Sequence, residues 1–261
     1  MLQIGNTPIT FEDFGRVVRE GESVVIADAA KQRIIESANF VRHMAESGNP
    51  VYGVTTGFGA NRDQVIAKED AETLQVRLIL SHACGVGDPL PTAVVRGMML
   101  LRINALAQGF SGITIETLQC LIDMLNMGVH PIVPELGSVG ASGDLCPLAH
   151  MCLPIIGRGR AEFNGEVFSG PEAMQKANIH PTRLTYKEGL ALLNGTQAQT
   201  AVGMVAAHNF EALLDSADLI GAMSLEAVAG RTDAFDPRIH EIRGRPGQIQ
   251  SATNVRSALQ G

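Results

Sequence analysis

The sequence predicts a mainly α-helical fold in which a small mixed N-terminal part precedes a bundle of long helices. Two features indicate this fold class. Apolar residues recur at alternating spacings of three and four in several segments, which is the period of an amphipathic helix. Nearer the C-terminus, a proline-free run extends from Thr196 to about residue 229, far longer than an average helix of about 11–12 residues. A helix of this length is typical of a bundle.

The composition is that of a globular protein. Hydrophobic residues make up 45% of the chain and charged residues 18%, which is enough apolar material for a sizeable core in one or two domains. The net charge is −7 and Lys and Arg form no cluster, so we expect no nucleic-acid partner. The four cysteines contain no CxxC pair and predict buried, reduced thiols, and we expect neither a metal nor a nucleotide cofactor.

The N-terminus predicts no targeting signal. Its first residues, MLQIGNTPITFEDF, include neither the basic segment nor the apolar segment of a signal peptide. No apolar run reaches the roughly 18 residues that a membrane-spanning helix needs. We therefore expect a cytoplasmic protein with no membrane partner.

Residues 1–110 form the first predicted domain, which mixes short extended pieces with modest helices. Residues 24–27 are an apolar run that predicts an extended piece, and Asp28 after them is the predicted N-cap of a long helix. Two more helices are predicted over residues 68–80 and 92–107. The apolar residues of the last helix cover a broad face, which indicates deep burial.

Residues 111–261 form the second predicted domain, a segment of a helical bundle. An apolar stripe predicts a helix that ends at Gly128. Residues 161–169 predict a surface hairpin, because an Asn-Gly pair separates two short alternating runs. Thr196 is the predicted cap of the long helix that follows. This helix is apolar on more than one face, so other helices must enclose it, which implies subunit contacts or a further partner.

The loop over residues 137–150, GSVGASGDLCPLAH, contains a tripeptide that can form an electrophile from its own backbone. The amide nitrogen of Gly143 would attack the carbonyl carbon of Ala141 with loss of water, and the absence of Cβ at Gly143 permits this close approach. Ser142 would lose a second water to give an exocyclic methylene. The product is a methylidene-imidazolone. Ala-Ser-Gly alone occurs by chance in about one chain in ten, so the context decides.

Four motifs provide that context, and they occur in one order along the chain: YGVTTGFG at residues 52–59, SHACGVG at 81–87, GSVGASGDLCPLAH at 137–150 and KEGLALLNGTQ at 187–197. Together they resemble the aromatic amino acid ammonia-lyase and aminomutase family, and they are most similar to its histidine ammonia-lyases. The family's members are much longer. The resemblance therefore implies that this chain corresponds to the N-terminal half of the family's fold.

The resemblance implies a role for four more residues. Tyr52 is the implied base that removes the β-proton of the substrate, which requires the pKa of its phenol to fall from about 10. Ser81 and His82 occupy the position at which members of the family contact and select the aromatic ring of the substrate. Asn194 is placed beside the imidazolone, where its amide can polarise the electrophile. Without the resemblance, each of them would be read as an ordinary turn or core residue.

Other polar residues carry weaker expectations. Gln197 lies one helical turn after Asn194 and is a secondary candidate for the site. His150 is read as a packing residue. Three basic residues near the C-terminus are read as a solvated face: Arg238, Arg243 and Arg245.

The implied reaction is the elimination of ammonia from an aromatic α-amino acid. The pair Ser81-His82 favours L-histidine as the substrate and trans-urocanate as the product, because a site that hydrogen-bonds an imidazole discriminates against rings that leave it unpaired. Tyrosine-specific members also have a His at this position. A tyrosine or phenylalanine ammonia-lyase and an aminomutase therefore remain open.

The family's second half implies further site residues, among them an Arg that binds the substrate carboxylate. Three arrangements follow. In the first, a second polypeptide or other subunits complete the site. In the second, the chain is a non-catalytic half-length homologue with a structural or regulatory task. In the third, the sequence is a fragment of a longer lyase. A homo-oligomer, or a complex with a chain that supplies the C-terminal half, is expected.

Overall fold

The computed structural model describes residues 1–47, 50–51, 53–57, 70–141 and 143–260. Helices dominate these residues and the strands are short, which confirms the prediction of a mainly α-helical fold. The chain divides into two compact units, Met1–Met204 and Val205–Gly261. The predicted boundary after residue 110 lies within the first unit, and a division into domains at that point stays a prediction.

The helices described are α1 Phe11–Arg19, α2 Asp28–Glu46, α3 Ala71–His82, α4 Thr92–Leu106, α5 Ile115–Met127, α6 Leu145–Cys152, α7 Gly170–Lys176, α8 Glu188–Leu193, α9 Gln197–Ala227, α10 Pro237–Arg243 and α11 Pro246–Ala258. The strands are β1 Leu2–Ile4, β2 Val24–Ile26, β3 Val86–Pro89, β4 His130–Pro131, β5 Pro134–Leu136, β6 Arg160–Phe163 and β7 Glu166–Ser169. Strands β1 and β2 pair in parallel, β3 pairs with β5 in antiparallel, and β6 pairs in antiparallel with both β4 and β7.

The core of the first unit is built around α4, which contacts α1, α5 and α6. Its apolar residues Met98, Leu100 and Ile103 are fully buried, and Leu118 and Leu121 of α5 are buried beside them. The broad apolar face of residues 92–107 therefore has the deep burial that the sequence predicts. Burial on several sides places α4 at the centre of this core.

The helix ends follow local capping chemistry. Thr114 caps α5 by accepting a hydrogen bond from Thr117 N, and Gly128 ends the helix with φ +76°, as predicted. At α2 the prediction is wrong by one residue. Ala27 is the N-cap, and Asp28 is the first helical residue, because the amides of the first turn already bond to the Ala27 carbonyl. Its carboxylate there complements the helix dipole.

The predicted hairpin is present as β6 and β7. Asn164 and Gly165 connect the two strands with φ of +52° and +81°. Positive φ at both positions matches the right-handed twist of the flanking strands. Strand β6 of the hairpin also pairs with β4, where His130 is opposite Glu162, so both hairpin strands belong to a three-stranded sheet in the order β4-β6-β7.

The second unit comprises the C-terminal part of α9 together with α10 and α11. Asp218 of α9 accepts hydrogen bonds from Ser251 and Asn254 of α11. Large apolar side chains along α9 are exposed, namely Val202, Phe210, Leu213, Leu214, Leu219, Ile220 and Met223. The residues that the structure describes therefore leave this surface uncovered. A search of the described helices finds none with the length and hydropathy needed to span a membrane.

Candidate functional site

The tripeptide loop begins where β5 ends, and β5 pairs with β3. Val86 is opposite Leu136 in this pairing, so residues 81–87 and the start of the loop lie side by side. A Cβ on Gly137 would overlap Cys146 Sγ and lie 3.2 Å from Gly85 Cα. Glycine at this position therefore allows two of the sequence motifs to pack directly against each other.

His150 of α6 connects the same two motifs. Its Nε2 accepts a hydrogen bond from Gly85 N at 3.0 Å. Burial lowers the pKa of His150, which favours the neutral ring that this acceptor role requires. The side chain thus holds residues 81–87 against α6, in agreement with its interpretation as a packing residue.

The third residue of the tripeptide lies against the turn that contains Asn194 and Gly195. Gly143 has φ +103°, and a Cβ there would overlap the Gly195 carbonyl oxygen and lie 2.9 Å from the carbonyl carbon. The next amide, Asp144 N, donates to the same Gly195 oxygen at 2.7 Å. Both the backbone conformation and the lack of space therefore require glycine at position 143.

Asp144 links the tripeptide loop to the N-terminus of α9. Its carboxylate is 2% exposed and accepts hydrogen bonds from Ser138 Oγ at 3.0 Å and from Gln199 N at 2.9 Å. Thr196 lies immediately before α9, as the sequence predicts for a cap. The side chain that accepts from the first turn is nevertheless Asp144, because the tripeptide loop reaches the helix end from elsewhere in the chain.

A buried cation also contacts the Gly195 turn. Arg102 of α4 is 4% exposed, its Nη1 donates to Gln197 Oε1 at 2.9 Å, and its Nη2 donates to the Ala191 carbonyl oxygen. Burial lowers the pKa of its guanidinium to about 10, so it stays charged at neutral pH. A Cβ on Gly195 would overlap both Arg102 Nη1 and Gln197 Oε1.

Sequence reasoning missed Arg102, although a signal was present. It is a charged residue within a helix whose breadth of apolar residues predicts deep burial, and a buried charge is retained only with specific partners. Gln197, a secondary candidate from the sequence, bonds to this arginine of its own chain.

The predicted substrate-reading pair lies at the C-terminal end of α3. His82 is half-buried, and its Nδ1 lies 2.8 Å from the Leu78 carbonyl oxygen and 3.1 Å from Ser81 Oγ. A carbonyl oxygen only accepts, so Nδ1 carries the proton and the Nε2 of a neutral ring is an acceptor. Ser81 is exposed, and its hydroxyl also donates to the Leu78 carbonyl at 2.9 Å.

The structure thus joins three of the four motifs through glycine contacts and hydrogen bonds. Gly143 lies against Gly195, and Gly85 lies against the start of the tripeptide loop. Asn194 ends α8 and is exposed, and Ala141 is exposed in its loop. The other two predicted site residues, Tyr52 and Ser142, lie outside the described residues. The roles of all these residues stay predictions.

Comparison with known proteins identifies relatives that match nearly the whole chain. A family model described as aromatic amino acid lyase matches residues 9–261. Histidine ammonia-lyase 2 of Fusobacterium nucleatum is 49% identical over 261 residues, a match that covers 100% of this chain and 51% of that protein. The histidine ammonia-lyase of Caldanaerobacter subterraneus is 50% identical over 258 residues, with 99% and 51% covered. The chain spans about half the length of these curated relatives.

Solved structures resemble the chain over a similar extent. Histidine ammonia-lyase from Trypanosoma cruzi superposes with a TM-score of 0.89 at 34% identity, covering 98% of this chain and 50% of that one. The ergothionase of Treponema denticola has a TM-score of 0.92 at 33% identity, covering 98% and 51%. The phenylalanine aminomutase of Pantoea agglomerans has a TM-score of 0.89 at 34% identity, covering 98% and 49%.

Proposed function

The chain belongs to the aromatic amino acid lyase family, and from this premise we propose that it is the N-terminal half of an ammonia-lyase that converts L-histidine to trans-urocanate. The observation that carries the proposal is the contact of Gly143 with Gly195. It presses the end of the Ala141-Ser142-Gly143 tripeptide against the turn that contains Asn194, and these are two of the sequence motifs to which the family resemblance gives chemical roles.

The loop fits a methylidene-imidazolone formed from its own residues. Cyclisation needs the Gly143 nitrogen to approach the Ala141 carbonyl carbon, which a glycine in an unusual backbone conformation permits. Gly143 has φ +103°, and the space that a Cβ would fill is taken by the Gly195 peptide. Asp144 N, bonded to the Gly195 oxygen, anchors the loop just after the tripeptide. The described residues on either side of Ser142 therefore support such a ring.

The ring would supply an electrophilic methylidene, and the side chains of this chain would perform the remaining tasks. Asn194 would donate a hydrogen bond from its side-chain amide to the ring, which would make the ring more electrophilic. Tyr52 would accept the β-proton at its phenolic oxygen, while ammonia leaves from the α-carbon. The products are ammonia and a trans α,β-unsaturated acid.

The substrate is proposed to be L-histidine because of His82 and the names of the relatives. With its proton on Nδ1, His82 presents an acceptor at Nε2, and an imidazole N–H is a matching donor. Relatives that are 49% and 50% identical are named histidine ammonia-lyases. A tyrosine or phenylalanine enzyme is less supported, although an aminomutase is among the similar structures.

A complete active site is proposed to require other chains. The matched relatives are about twice as long as the residues matched here, and α9 exposes apolar side chains along its length. A homo-oligomer, or a second chain that supplies the C-terminal half, would cover this surface. A cytoplasmic location is part of the same proposal.

The intact mass of the purified chain tests the proposal. We expect a mass lower than that of the sequence by two waters, and peptide mapping should place the loss at residues 141–143. Ser142→Ala should prevent the loss of the second water, because alanine has no hydroxyl to eliminate. A folded chain with an unmodified mass would contradict the proposed function and favour a structural or regulatory half. In the same preparations, we would compare the rate of urocanate release from L-histidine with that of coumarate release from L-tyrosine. The faster reaction identifies the preferred substrate.

A further inference from the structure

Arg102 is a buried charge whose hydrogen-bond partners among the described residues are not carboxylates. Within the described ranges, its guanidinium bonds to the side-chain oxygen of Gln197 and the main-chain oxygen of Ala191, and its Nε has no hydrogen-bond partner. Moving a cation out of water is unfavourable even when it is partly bonded. A hydrophobic side chain would fill the same space without this cost, so stability alone does not account for an arginine here.

The two acceptors lie on either side of one turn. Ala191 belongs to α8, Gln197 is the first residue of α9, and Asn194 and Gly195 lie between them. The guanidinium therefore bridges the residues on the two sides of the turn, close enough to Gly195 that a Cβ on this residue would overlap Nη1. Arginine suits this position because its planar fork forms two hydrogen bonds in fixed directions, whereas a lysine ammonium is a single point charge.

The same turn also contacts the tripeptide loop. The Gly195 oxygen accepts from Asp144 N at 2.7 Å, and Gly143 packs on the Gly195 peptide without room for a Cβ. Gly195 thus contacts both the guanidinium of Arg102 and the backbone of residues 143–144. A shift of this peptide would change the conformation of the tripeptide.

We propose that Arg102 is a positioning residue for formation of the imidazolone: by bridging Ala191 and Gln197 it fixes the Gly195 peptide, which in turn holds Gly143 close to Ala141. The inference rests on the proposed function. Ring closure depends on keeping the Gly143 nitrogen near the Ala141 carbonyl carbon, and such proximity effects are large and sensitive to small displacements. Among the described residues, Arg102 forms no hydrogen bond to Ala141 or Gly143, so its effect would be transmitted through the turn.

The rate of ring formation in newly synthesised chain tests this role. Cell-free translation followed by mass spectrometry at successive times gives the fraction of chain that has lost two waters, and thermal unfolding of the same samples gives stability. We expect Arg102→Lys and Arg102→Met to slow ring formation about tenfold or more, because each removes at least one hydrogen bond to a charged group. Gln197→Met, which keeps the cation and removes one acceptor, should slow it as well.

Arg96 provides the matched control. It lies on the same helix, burial lowers the pKa of its guanidinium too, and it donates to the main-chain oxygens of Val17 and Leu125 at 2.6 and 3.2 Å. Arg96→Met should lower the unfolding temperature while ring formation in the folded fraction keeps the wild-type rate.

The outcomes separate the two proposals. An unmodified wild-type chain would refute the proposed function itself. A modified wild-type chain, together with folded Arg102 or Gln197 variants that cyclise at the wild-type rate, would refute only the role of Arg102. A slowing of the same size in Arg96→Met would also refute it, because loss of stability would then explain the effect. Should the Arg102 variants fail to fold, the rate of ring formation in folded Gln197→Met tests the role of Arg102: a slower rate supports it and the wild-type rate refutes it.

Discussion

Position 143 requires glycine for two reasons that mutation can separate. A left-handed backbone conformation is unfavourable for a residue with a Cβ by about 1–2 kcal/mol. Gly143 has φ +103°, and its Cβ would in addition overlap the Gly195 carbonyl oxygen. Gly140, three residues earlier in the same loop, has φ +66°, and among the described residues a Cβ there meets nothing within 4 Å. It therefore isolates the conformational part of the effect.

We expect Gly140→Ala to lower the free energy of unfolding by about 1–2 kcal/mol and to leave imidazolone formation intact. Gly143→Ala should destabilise the chain by more, because it also displaces the Gly195 turn, and it should abolish the two-water loss. Urea unfolding and intact mass measure both effects. Equal destabilisation by the two variants would show that the contact between Gly143 and Gly195 is not tight in solution.

The N-terminus of α9 depends on a side chain that is far away in the sequence. The amides of the first turn of a helix lack partners within the helix, and Asp144 accepts one of them, Gln199 N, at 2.9 Å. Asp70 is the N-cap residue of α3, and within the described residues its side chain accepts no hydrogen bond from the first turn of that helix. Asp144 thus accepts a hydrogen bond from the first turn of its helix, whereas Asp70, a residue of the same type, does not.

Asp144→Ala should lower the free energy of unfolding by about 1–2 kcal/mol, which is within the range for loss of a capping side chain. Asp70→Ala should change it by no more than about 0.5 kcal/mol. Denaturant titration of the two variants under identical conditions makes the comparison. An equal loss in both would show that α9 starts without help from the tripeptide loop.

We expect the exposed apolar surface of α9 to determine how the chain assembles. Leu213 and Ile220 are both 62% exposed, and they belong to a larger set of exposed apolar residues on that helix. Exposed patches of this kind usually mark an interface, and long helices bury them by packing against other helices. The occupant that we expect is a second copy of the chain or the C-terminal half found in the longer relatives.

Sedimentation of the purified chain at micromolar concentration should show an oligomer. Leu213→Glu combined with Ile220→Glu should shift the distribution toward monomer, because charges would be buried in the interface. Val167→Glu is the control: Val167 is also exposed, at 47%, but it lies on β7. A wild-type chain that sediments as a compact monomer would contradict this prediction.

The sequence by itself determined the fold class, the family and most local structure. Helices α4 and α5 and the hairpin of β6 and β7 were predictable because periodicity and turn chemistry depend on residues close together in the chain. The start of α2 was placed one residue late, since a cap is defined by the backbone conformation of a single residue. The roles of Tyr52 and Ser142 still rest on the resemblance.

Only the tertiary structure decided which residues support one another across the chain. Three interactions show this: Gly143 packs on Gly195, Asp144 caps α9, and Arg102 bonds to Gln197. Each of them joins residues that are 52 or more positions apart in the chain. No local pattern encodes such contacts, because they arise when separate elements pack on one core. The sequence therefore identified the chemistry of the tripeptide, whereas the fold determined what holds it in place.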